Sequence, residues 1–315
     1  MYRVESLLTE YRANRLVKEA EKLIFAGVGK RDVYNITAPF EDNGKRIIAG
    51  RVEARDSENS EVVFFSEQNG EWRPEPGLPT YSLQDPFVSK IHDELVFGGV
   101  EIFPHPTNEG ALSWRTVFYK GDGLSGLTRF ASGPDGMKDI RLVELEDKSI
   151  GVFTRPQGEK GGRGKMGYTS ISQLEELQAE TIAEAPLIES HFADEEWGGA
   201  NEVRLLKNNE IGVLGHMAAF DEAGNRHYYP IVFQYDPVHN QISHMKIIAC
   251  RDDFPEGEAK RPDLTDVLFS GGIERLNNQE AALYVGASDA EAYRAVIFDP
   301  FVSLEQQNSL FRRGM

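Results

Sequence analysis

A polar motif recurs five times along the chain, and each copy stands at the start of a strand-like segment. The copies are YNITAPF (34–40), LQDPF (83–87), KDIRL (138–142), GGANEV (198–203) and SGGIER (270–275). The markers of successive copies are Asn35, Asp85, Asp139, Asn201 and Gly272. Their spacing is typical of four-stranded propeller blades, whose innermost strands line a central channel. The repeat predicts an all-β, five-bladed β-propeller with the motifs at the channel mouth; a pair of β-sandwiches is the alternative.

The segments between the motifs alternate in the way that short strands do. Eight strands are predicted, over 46–54, 61–67, 94–103, 114–121, 150–156, 211–220, 228–236 and 281–289. Residues 5–26 instead carry apolar side chains at helical spacing, and a second helical fragment is predicted over 170–180. We therefore expect an N-terminal helix region (1–30), packed on the outside of a propeller catalytic domain (31–315).

Composition narrows the choice of partners. The 315 residues carry a formal net charge of −17, which argues against nucleic acid and anionic membranes as partners. No apolar stretch reaches the length of a membrane span, and the charged N-terminus does not resemble a signal peptide. A single cysteine, Cys250, favours a reducing compartment, so a cytoplasmic protein is expected. In so acidic a chain, a local cluster of Arg and Lys points to a bound anion.

Asp85 stands directly before Pro86 at the mouth of a predicted strand. A general acid must hold its proton at working pH, which burial or a neighbouring negative charge can achieve. Phe87 together with Glu53 and Asp56 could supply such surroundings. The alternative is that the same aspartate caps a turn before the proline, as Asp commonly does. The residues alone favour this turn cap over catalysis.

Several motifs together resemble a known enzyme family. They are LQDPFVSKIHDEL (83–95), KDIRLVEL (138–145) with IGVFTRP (150–156), WGGANEVRLL (197–206) with IGVLGHM (211–217), and LYVGASD (283–289). This set resembles the five-bladed mannoside phosphorylases of glycoside hydrolase family 130. It is still more similar to the mannosyltransferase–phosphorylases of glycosyltransferase family 108, formerly a domain of unknown function. The resemblance covers nearly all of the chain after residue 30. The chain departs from family 130 at QDPF, where that family has a glutamate before the aspartate and an arginine after the proline.

The resemblance implies an inverting transfer of mannose. The expected activity is that of a β-1,2-mannoside phosphorylase or mannosyltransferase, acting on mannose oligosaccharides with phosphate or mannose 1-phosphate, with GDP-mannose as a second candidate donor. Asp85 falls at the family's catalytic aspartate, which donates its proton through a mannose hydroxyl. Phosphate is the nucleophile, so the usual second carboxylate is not required. A glycoside hydrolase, which needs that second carboxylate, and a non-catalytic sugar-binding propeller with a solvated Asp85 are the alternatives.

Two groups of candidate ligands complete the predicted site. The resemblance carries the phosphate role to Arg155 and His216 and to Tyr228 or its neighbour Tyr229, and it assigns Asp289 to the mannose. The full phosphate-binding set is Arg141, Arg155, His216, Tyr228 and Lys260. The sugar-binding set is Asn35, Arg51, Arg55, Asp56, Asp139, Asn201 and Asp289. The glycine-rich segment EKGGRGKMG (159–167) is either a lid or a solvated loop. Seven histidines without metal-ligand spacing predict no metal, and no cofactor is expected.

Overall fold

The structure is a computed structural model that describes residues 1–277 and 279–306. The final part of the predicted catalytic domain, 307–315, therefore lies outside the described residues. The helices are short: α1 Val4–Ala13, α2 Gly158–Gly161, α3 Ala179–Glu184 and α4 Pro300–Gln306. Single 3₁₀ turns occupy Leu124–Gly126, Leu174–Glu176, Arg251–Asp253 and Pro262–Leu264.

Strands make up most of the described chain. They are β1 Val17–Lys22, β2 Asp32–Tyr34, β3 Phe40–Asp42, β4 Lys45–Glu53, β5 Ser60–Gln68, β6 Glu71–Pro74, β7 Gln84–Ile91, β8 Glu94–Pro104, β9 Leu112–Gly121, β10 Thr128–Ser132, β11 Arg141–Glu144, β12 Ile150–Thr154, β13 Gly167–Ile171, β14 Trp197–Leu205, β15 Ile211–Phe220, β16 Arg226–Asp236, β17 Gln241–Ile242, β18 Lys246–Ile247, β19 Asp266–Arg275, β20 Glu280–Ala287 and β21 Glu291–Phe298. All eight strands predicted from the sequence are present, with only small differences at their ends.

The strands form consecutive antiparallel meanders. β2–β6 form one sheet, β7–β10 a second and β11–β13 a third. The fourth sheet has nine strands, in which a short parallel pairing of β16 with β19 joins β14–β16 to β19–β21. Branched and aromatic side chains face each other between neighbouring sheets, for example Phe64 and Phe97 with ring centroids 5.2 Å apart. This mostly β arrangement is consistent with a propeller-like fold.

The predicted helix over 5–26 is correct only in its first half. Helix α1 ends at Ala13, and the chain then forms β1, which pairs antiparallel with β21 from Val17↔Ile297 to Lys22↔Tyr293. The spacing of Leu16, Val17 and Ala20 suited a helix equally well, but these side chains pack against the core beside β20 and β21. The free edge of β21 offers backbone partners that local spacing does not reveal. The N-terminal region is therefore joined to the last sheet by backbone pairing.

The second predicted helix, over 170–180, is also misplaced. Its first residues belong to β13, which pairs with β12 from Ile150↔Ile171 to Thr154↔Gly167. Helix α3 begins only at Ala179. Between the strand and α3, Leu174–Glu176 form a single 3₁₀ turn, so the Leu and Glu residues of this segment give only one turn of helix. Among the described residues, no helix is long and apolar enough to span a membrane.

Candidate active site

Three of the five marker residues, and Asp289 in the last turn of the sheet, share an unusual backbone conformation. Asn35, Asp85 and Asp139 have φ values of +44°, +47° and +59°, and Asp289 has +51°. Among residues other than glycine, Asn and Asp tolerate this left-handed region best. At Asp85 the register of β7 against β8 shifts between Gln84 and Phe87, so Pro86 sits in a bulge where a missing N–H is tolerated. The aspartate before the proline therefore lies in a bulge at the start of β7, where its carboxylate is directed away from the hydrogen-bonded strand pair.

Asp85 is buried and surrounded by donors. Asn35 Nδ2 donates to its Oδ1 over 2.8 Å, and Arg51 Nη1 donates to the same oxygen over 3.1 Å. Lys138 Nζ lies 3.9 Å from Oδ2. Asn35 and Arg51 belong to the predicted sugar-binding set, and the structure places both against the predicted acid. A solvated Asp85, which a non-catalytic propeller would have, is not observed, because only 4% of the residue is exposed.

The electrostatics around Asp85 differ from those predicted. Burial by itself raises its pKa, but the Arg51 and Lys138 charges, with the hydrogen bonds from Asn35 and Arg51, outweigh burial and lower the pKa to about 2. Glu53 does not supply a neighbouring negative charge to hold the proton, since its carboxylate is itself held by Arg51, Ser60 and Lys260. Asp56 is exposed in a turn. The carboxyl group of Asp85 is therefore ionised in the unliganded protein.

Lys138 is a cation that the sequence prediction did not include in the site. It directly precedes Asp139 in the third motif, and its side chain is about one-third exposed beside Asp85. Its charge lowers the pKa of Asp85 and of Asp139, so it influences both buried carboxylates. The sequence feature that could have identified Lys138 is its position within the repeated motif KDIRL.

Arg155 and Asp139 form a buried ion pair. Arg155 Nη1 lies 3.1 Å from Asp139 Oδ2, and Arg155 Nε donates to the Gly198 carbonyl over 2.8 Å. A Cβ at Gly199 would lie 2.8 Å from Arg155 Cδ and 3.1 Å from Asp139 Cβ, so the pair needs glycine at this position. Burial opposes ionisation of Asp139, but Arg155 and then Lys138 lower its pKa overall. Asp139 therefore orients a phosphate-binding candidate and shares the same polar cluster.

Arg141 is a buried cation without an ion-pair partner among the described residues. Its Nε donates to the Asn201 carbonyl over 2.6 Å and its Nη1 to the Ile140 carbonyl over 3.0 Å. Its guanidinium group lies 4.3 Å from the centre of the Phe87 ring. Burial lowers its pKa to about 10, which Asp139 and Asp85 only partly oppose. An incompletely compensated buried guanidinium is well suited to a bound anion.

His216 joins this cluster from β15. It is buried, and its Nδ1 lies 2.9 Å from the side-chain amide of Asn201. Burial lowers its pKa to about 3; Asp139 opposes this, and Arg155, Lys138 and Arg141 reinforce it. The imidazole is therefore neutral. Asn201, predicted as a sugar ligand, contacts His216 and Ser270 with its side chain.

The structure separates Tyr228 from Tyr229. The Tyr228 ring is stacked on His216, with centroids 5.5 Å apart and planes 13° apart. Trp197 Nε1 donates to the Tyr228 hydroxyl over 3.1 Å, which leaves that hydroxyl proton for another acceptor. The Tyr229 hydroxyl instead donates to Asp266 over 2.6 Å. Tyr228 is thus the tyrosine that lies with the phosphate-binding candidates.

Three predicted ligands are not brought to this cluster. Lys260 is bound to Glu53 and Glu58, with no contact to Arg155 or His216 among the described residues. Arg55 pairs with Asp32 and Glu258, and Asp56 is exposed. Sequence proximity to a motif suggested all three, but their side chains are directed to other partners.

Asp289 lies in the turn between β20 and β21 and is half-buried. Burial raises its pKa; the Arg51 charge opposes this rise, and the Asp85 charge adds to it. Asp85 and Asp289 thus have pKa values shifted in opposite directions, although both carboxyl groups interact with Arg51.

The glycine-rich segment is packed against the site. The Arg163 carbonyl accepts hydrogen bonds from Arg155 and Gln157, and the Gly164 carbonyl accepts one from the Gly198 N–H over 3.1 Å. Gly164 has φ +144°, and a Cβ there would lie 2.5 Å from Arg155 Nε. Lys165 donates to the carbonyls of Phe192, Ala193 and Glu196. The segment therefore acts as a bracket for Arg155.

Two other features resemble ligand sites. A cavity of about 540 Å³ lies along β7, β14 and β19; Asn201 is among its lining residues, but Asp85, Arg141 and Arg155 are not. In the described chain, Cys250, Asp252 and Asp253 have ligand-type atoms within 4.8 Å of one another. Arg15 donates to both of these carboxylates, which compensates their charge without a metal ion.

Two solved structures similar to this chain are enzymes of mannose transfer. A mannose phosphorylase from Leishmania mexicana, in complex with phosphate ion, is 36% identical, with a TM-score of 0.88 over 95% of this chain and 94% of its own. A GDP-Man-dependent mannosyltransferase from the same organism is 33% identical, with a TM-score of 0.86 over 95% of each chain. No curated protein matches this chain.

More distant similarity shows the fold alone. A β-1,2-mannobiose phosphorylase from Listeria innocua, in complex with β-1,2-mannobiose, is 12% identical, with a TM-score of 0.61 over 91% of this chain and 93% of its own.

Residues 9–303 match the family described as a protein of unknown function (DUF1861). The resemblance to mannosyltransferase–phosphorylases is confirmed: solved structures similar to this chain include a mannose phosphorylase and a mannosyltransferase, and the chain belongs to the DUF1861 family.

Proposed function

We propose that this protein is an inverting β-1,2-mannoside phosphorylase that also synthesises mannosides in reverse from mannose 1-phosphate. The single observation that carries the proposal is Arg141, a buried guanidinium with no carboxylate partner in the described chain, in one cluster with Arg155, Lys138 and neutral His216. Burying a cation without an opposite charge is costly unless a ligand supplies that charge. The phosphate ion bound by the Leishmania mexicana mannose phosphorylase supports phosphate as this ligand.

The proposed chemistry uses one protein carboxyl group. Phosphate attacks the anomeric carbon of the mannose, and the glycosidic oxygen leaves with a proton that Asp85 provides through a mannose hydroxyl. The transition state has positive character at the sugar, so a phosphate held by Arg141 and Arg155 stabilises it as well as attacking. Asn35 and Arg51 fix the orientation of the Asp85 carboxyl group.

Phosphate binding and protonation of Asp85 are coupled in this mechanism. The low pKa of Asp85 depends on cations that include Lys138. A phosphate beside Lys138 cancels part of that positive charge and therefore raises the pKa of Asp85. The acid then gains its proton when the nucleophile is present. The pH dependence of kcat tests this: its ionisation attributable to Asp85 should move to higher pH in saturating phosphate than the pKa of Asp85 in the free enzyme.

Hydrolysis is less well supported. A hydrolase needs an ionised second carboxylate to activate water. Asp289 is the carboxyl group that would have to act as this base, and its charge is coupled to that of Asp85. The buried cations Arg141 and Arg155 suit a phosphate nucleophile and are not needed to activate water.

We further propose that the sheets form five propeller blades. The short parallel pairing of β16 with β19 then joins two blades, β14–β16 with its additions β17 and β18, and β19–β21 closed by β1. The catalytic unit then includes β1, so it starts before the predicted boundary at residue 31. We also keep a cytoplasmic location and no metal or cofactor as parts of this proposal.

One incubation series distinguishes the donors and tests the reaction. Purified protein is incubated with β-1,2-mannobiose or longer oligosaccharides, with and without phosphate, and separately with GDP-mannose and a mannose acceptor. Mannose 1-phosphate formed only with phosphate supports the proposal, and free mannose formed equally without phosphate contradicts it. Transfer from GDP-mannose alone would identify a transferase, for which the 33%-identical GDP-Man-dependent relative is the supporting observation.

A further inference from the structure

The buried side chain of Asn201, on β14, contacts two buried side chains from other strands, His216 on β15 and Ser270 on β19. Asn201 lies at a bulge of β14, where the register against β15 shifts between Ala200 and Glu202. Ser270 lies at the corresponding bulge of β19. The Asn201 amide lies between the other two groups, 2.9 Å from His216 Nδ1 and 3.3 Å from Ser270 Oγ. The contact with His216 controls which nitrogen of the imidazole carries the proton.

The Ser270 hydroxyl proton has one clear acceptor. Ser270 Oγ lies 2.8 Å from the Gly215 carbonyl, which can only accept, and 3.3 Å from the Asn201 amide. A hydroxyl group has one proton, and the shorter contact to an obligate acceptor takes it. Ser270 Oγ then presents lone pairs to Asn201, so the amide atom that faces Ser270 has to be the donor, Nδ2.

The same orientation resolves a buried NH₂ group. With the amide oxygen facing His216 and Ser270, Asn201 Nδ2 is buried with no hydrogen-bond partner among the described residues. When the amide is flipped so that its oxygen and nitrogen exchange places, its two N–H groups donate to Ser270 Oγ and to His216 Nδ1. An unpaired NH₂ leaves two unsatisfied donors, whereas the flipped amide leaves one unpaired carbonyl, which is the less costly arrangement.

We propose that Ser270, acting through the Asn201 amide, fixes neutral His216 as the Nε2–H tautomer. Asn201 and Ser270 are therefore positioning residues. Asp139, Arg155, Lys138 and Arg141 are the charged groups around the ring. If phosphate binds here, as the proposed function requires, then the Nε2–H group of His216 donates a hydrogen bond to a phosphate oxygen. The opposite tautomer would present a lone pair and would repel the phosphate dianion.

The tautomer can be read without any substrate. In ¹⁵N-histidine-labelled protein at neutral pH, two-bond ¹H–¹⁵N correlations distinguish the protonated nitrogen from the unprotonated one, and a His216→Gln variant assigns the signal. We expect Nε2 to be protonated in the wild type. A wild-type His216 protonated at Nδ1 would overturn the proposal, and this result needs no variant of Ser270 or Asn201 to fold.

The Ser270→Ala variant tests whether Ser270 acts on His216 through the Asn201 amide, an arrangement called the relay below. Without the Ser270 acceptor the amide can turn back, so we expect some Nδ1–H tautomer and an affinity for inorganic phosphate about tenfold weaker by calorimetry. The control is Ser243→Ala, which removes another buried hydroxyl, one that accepts from the Gln234 N–H, and should change neither readout. An unchanged tautomer in Ser270→Ala would refute the relay. A wild-type Nε2–H tautomer without any phosphate binding would leave this inference standing and count against the proposed function instead.

Discussion

Arg51 and Asp85 form a buried hydrogen-bonded ion pair, with Nη1 and Oδ1 3.1 Å apart and each side chain less than one-tenth exposed. Arg51 is itself held on its other side by Glu53, over 2.8 Å. The proposed acid is therefore oriented by a fixed network in the resting state, and it is ionised there. Its proton has to come with substrate and phosphate, because the protein's own charges favour the carboxylate.

Replacing the proposed acid should strongly reduce transfer and leave the fold intact. Asp85→Asn keeps the shape and the contacts to Asn35 and Arg51 but cannot donate a proton as an acid. We expect a loss of about 10²–10⁴-fold in kcat for phosphorolysis, the usual range for general acid catalysis. Mannose 1-phosphate release measures it. Asp236→Asn, which alters a buried aspartate at the end of β16, serves as the control; equal losses in the two variants would remove Asp85 from the mechanism.

The Asp85 network also predicts how stability depends on pH. The pKa of Asp85 is about 2 in the folded protein and about 3.9 in an unfolded chain, so the unfolded state binds the proton first as pH falls. This stabilisation is present above about pH 4 and is lost between about pH 4 and pH 2, with a total of about 2–3 kcal/mol. Denaturant unfolding at a series of pH values checks this. The wild type should lose more stability than Asp85→Asn across that window, and parallel curves would contradict the ion-pair account.

Arg141 should matter for phosphate more than for the sugar. Arg141→Gln keeps a donor for the backbone carbonyls but removes the buried charge. We expect the KM for phosphate to rise about 10- to 100-fold, as for loss of a charge-assisted hydrogen bond, with a smaller change in the KM for the mannoside. Arg251→Gln is a matched control, because Arg251 also donates to backbone carbonyls. If the phosphate KM is unaffected in Arg141→Gln, the anion lies elsewhere.

The two adjacent tyrosines should have separable roles. Tyr228→Phe removes a hydroxyl that receives the Trp197 N–H and can donate to phosphate, so phosphate affinity should fall about tenfold. Tyr229→Phe removes a donor to Asp266 and should lower thermal stability while phosphate affinity is kept. Calorimetric titration and thermal unfolding of both variants make the comparison; the reverse pattern would assign the phosphate contact to Tyr229.

The sequence predicted the strands well because their alternation is local. Two of the five motifs mark strand starts, with Asp85 in the first residues of β7 and Asp139 just before β11, whereas Asn35 follows β2, and Asn201 and Gly272 lie inside β14 and β19. Strand β1 was missed because the same Leu and Val spacing suits a helix, and only the open edge of β21, near the other end of the chain, selects a strand.

Within the site, it was easier to predict which residues belong to it than to predict which side chains they contact. The residues that stand in or beside the motifs lie in the predicted polar cluster: Asn35, Arg51, Asp139, Arg141, Arg155 and His216. The predictions that Lys260 and Arg55 lie in the cluster were wrong. The sequence does not show that these side chains form ion pairs elsewhere, Lys260 with Glu53 and Glu58, and Arg55 with Asp32 and Glu258. The low pKa of Asp85 was also out of reach, because it depends on Arg51 and Lys138 approaching from other parts of the chain.

The most direct test of the central claim, that phosphate is the nucleophile and attacks with inversion, is an NMR time course. β-1,2-mannobiose and inorganic phosphate are mixed with the enzyme, and the first product is identified by its anomeric signals. We expect α-mannose 1-phosphate as the first product, at a rate that depends on phosphate concentration. Free mannose appearing first, at a rate independent of phosphate, would contradict the claim.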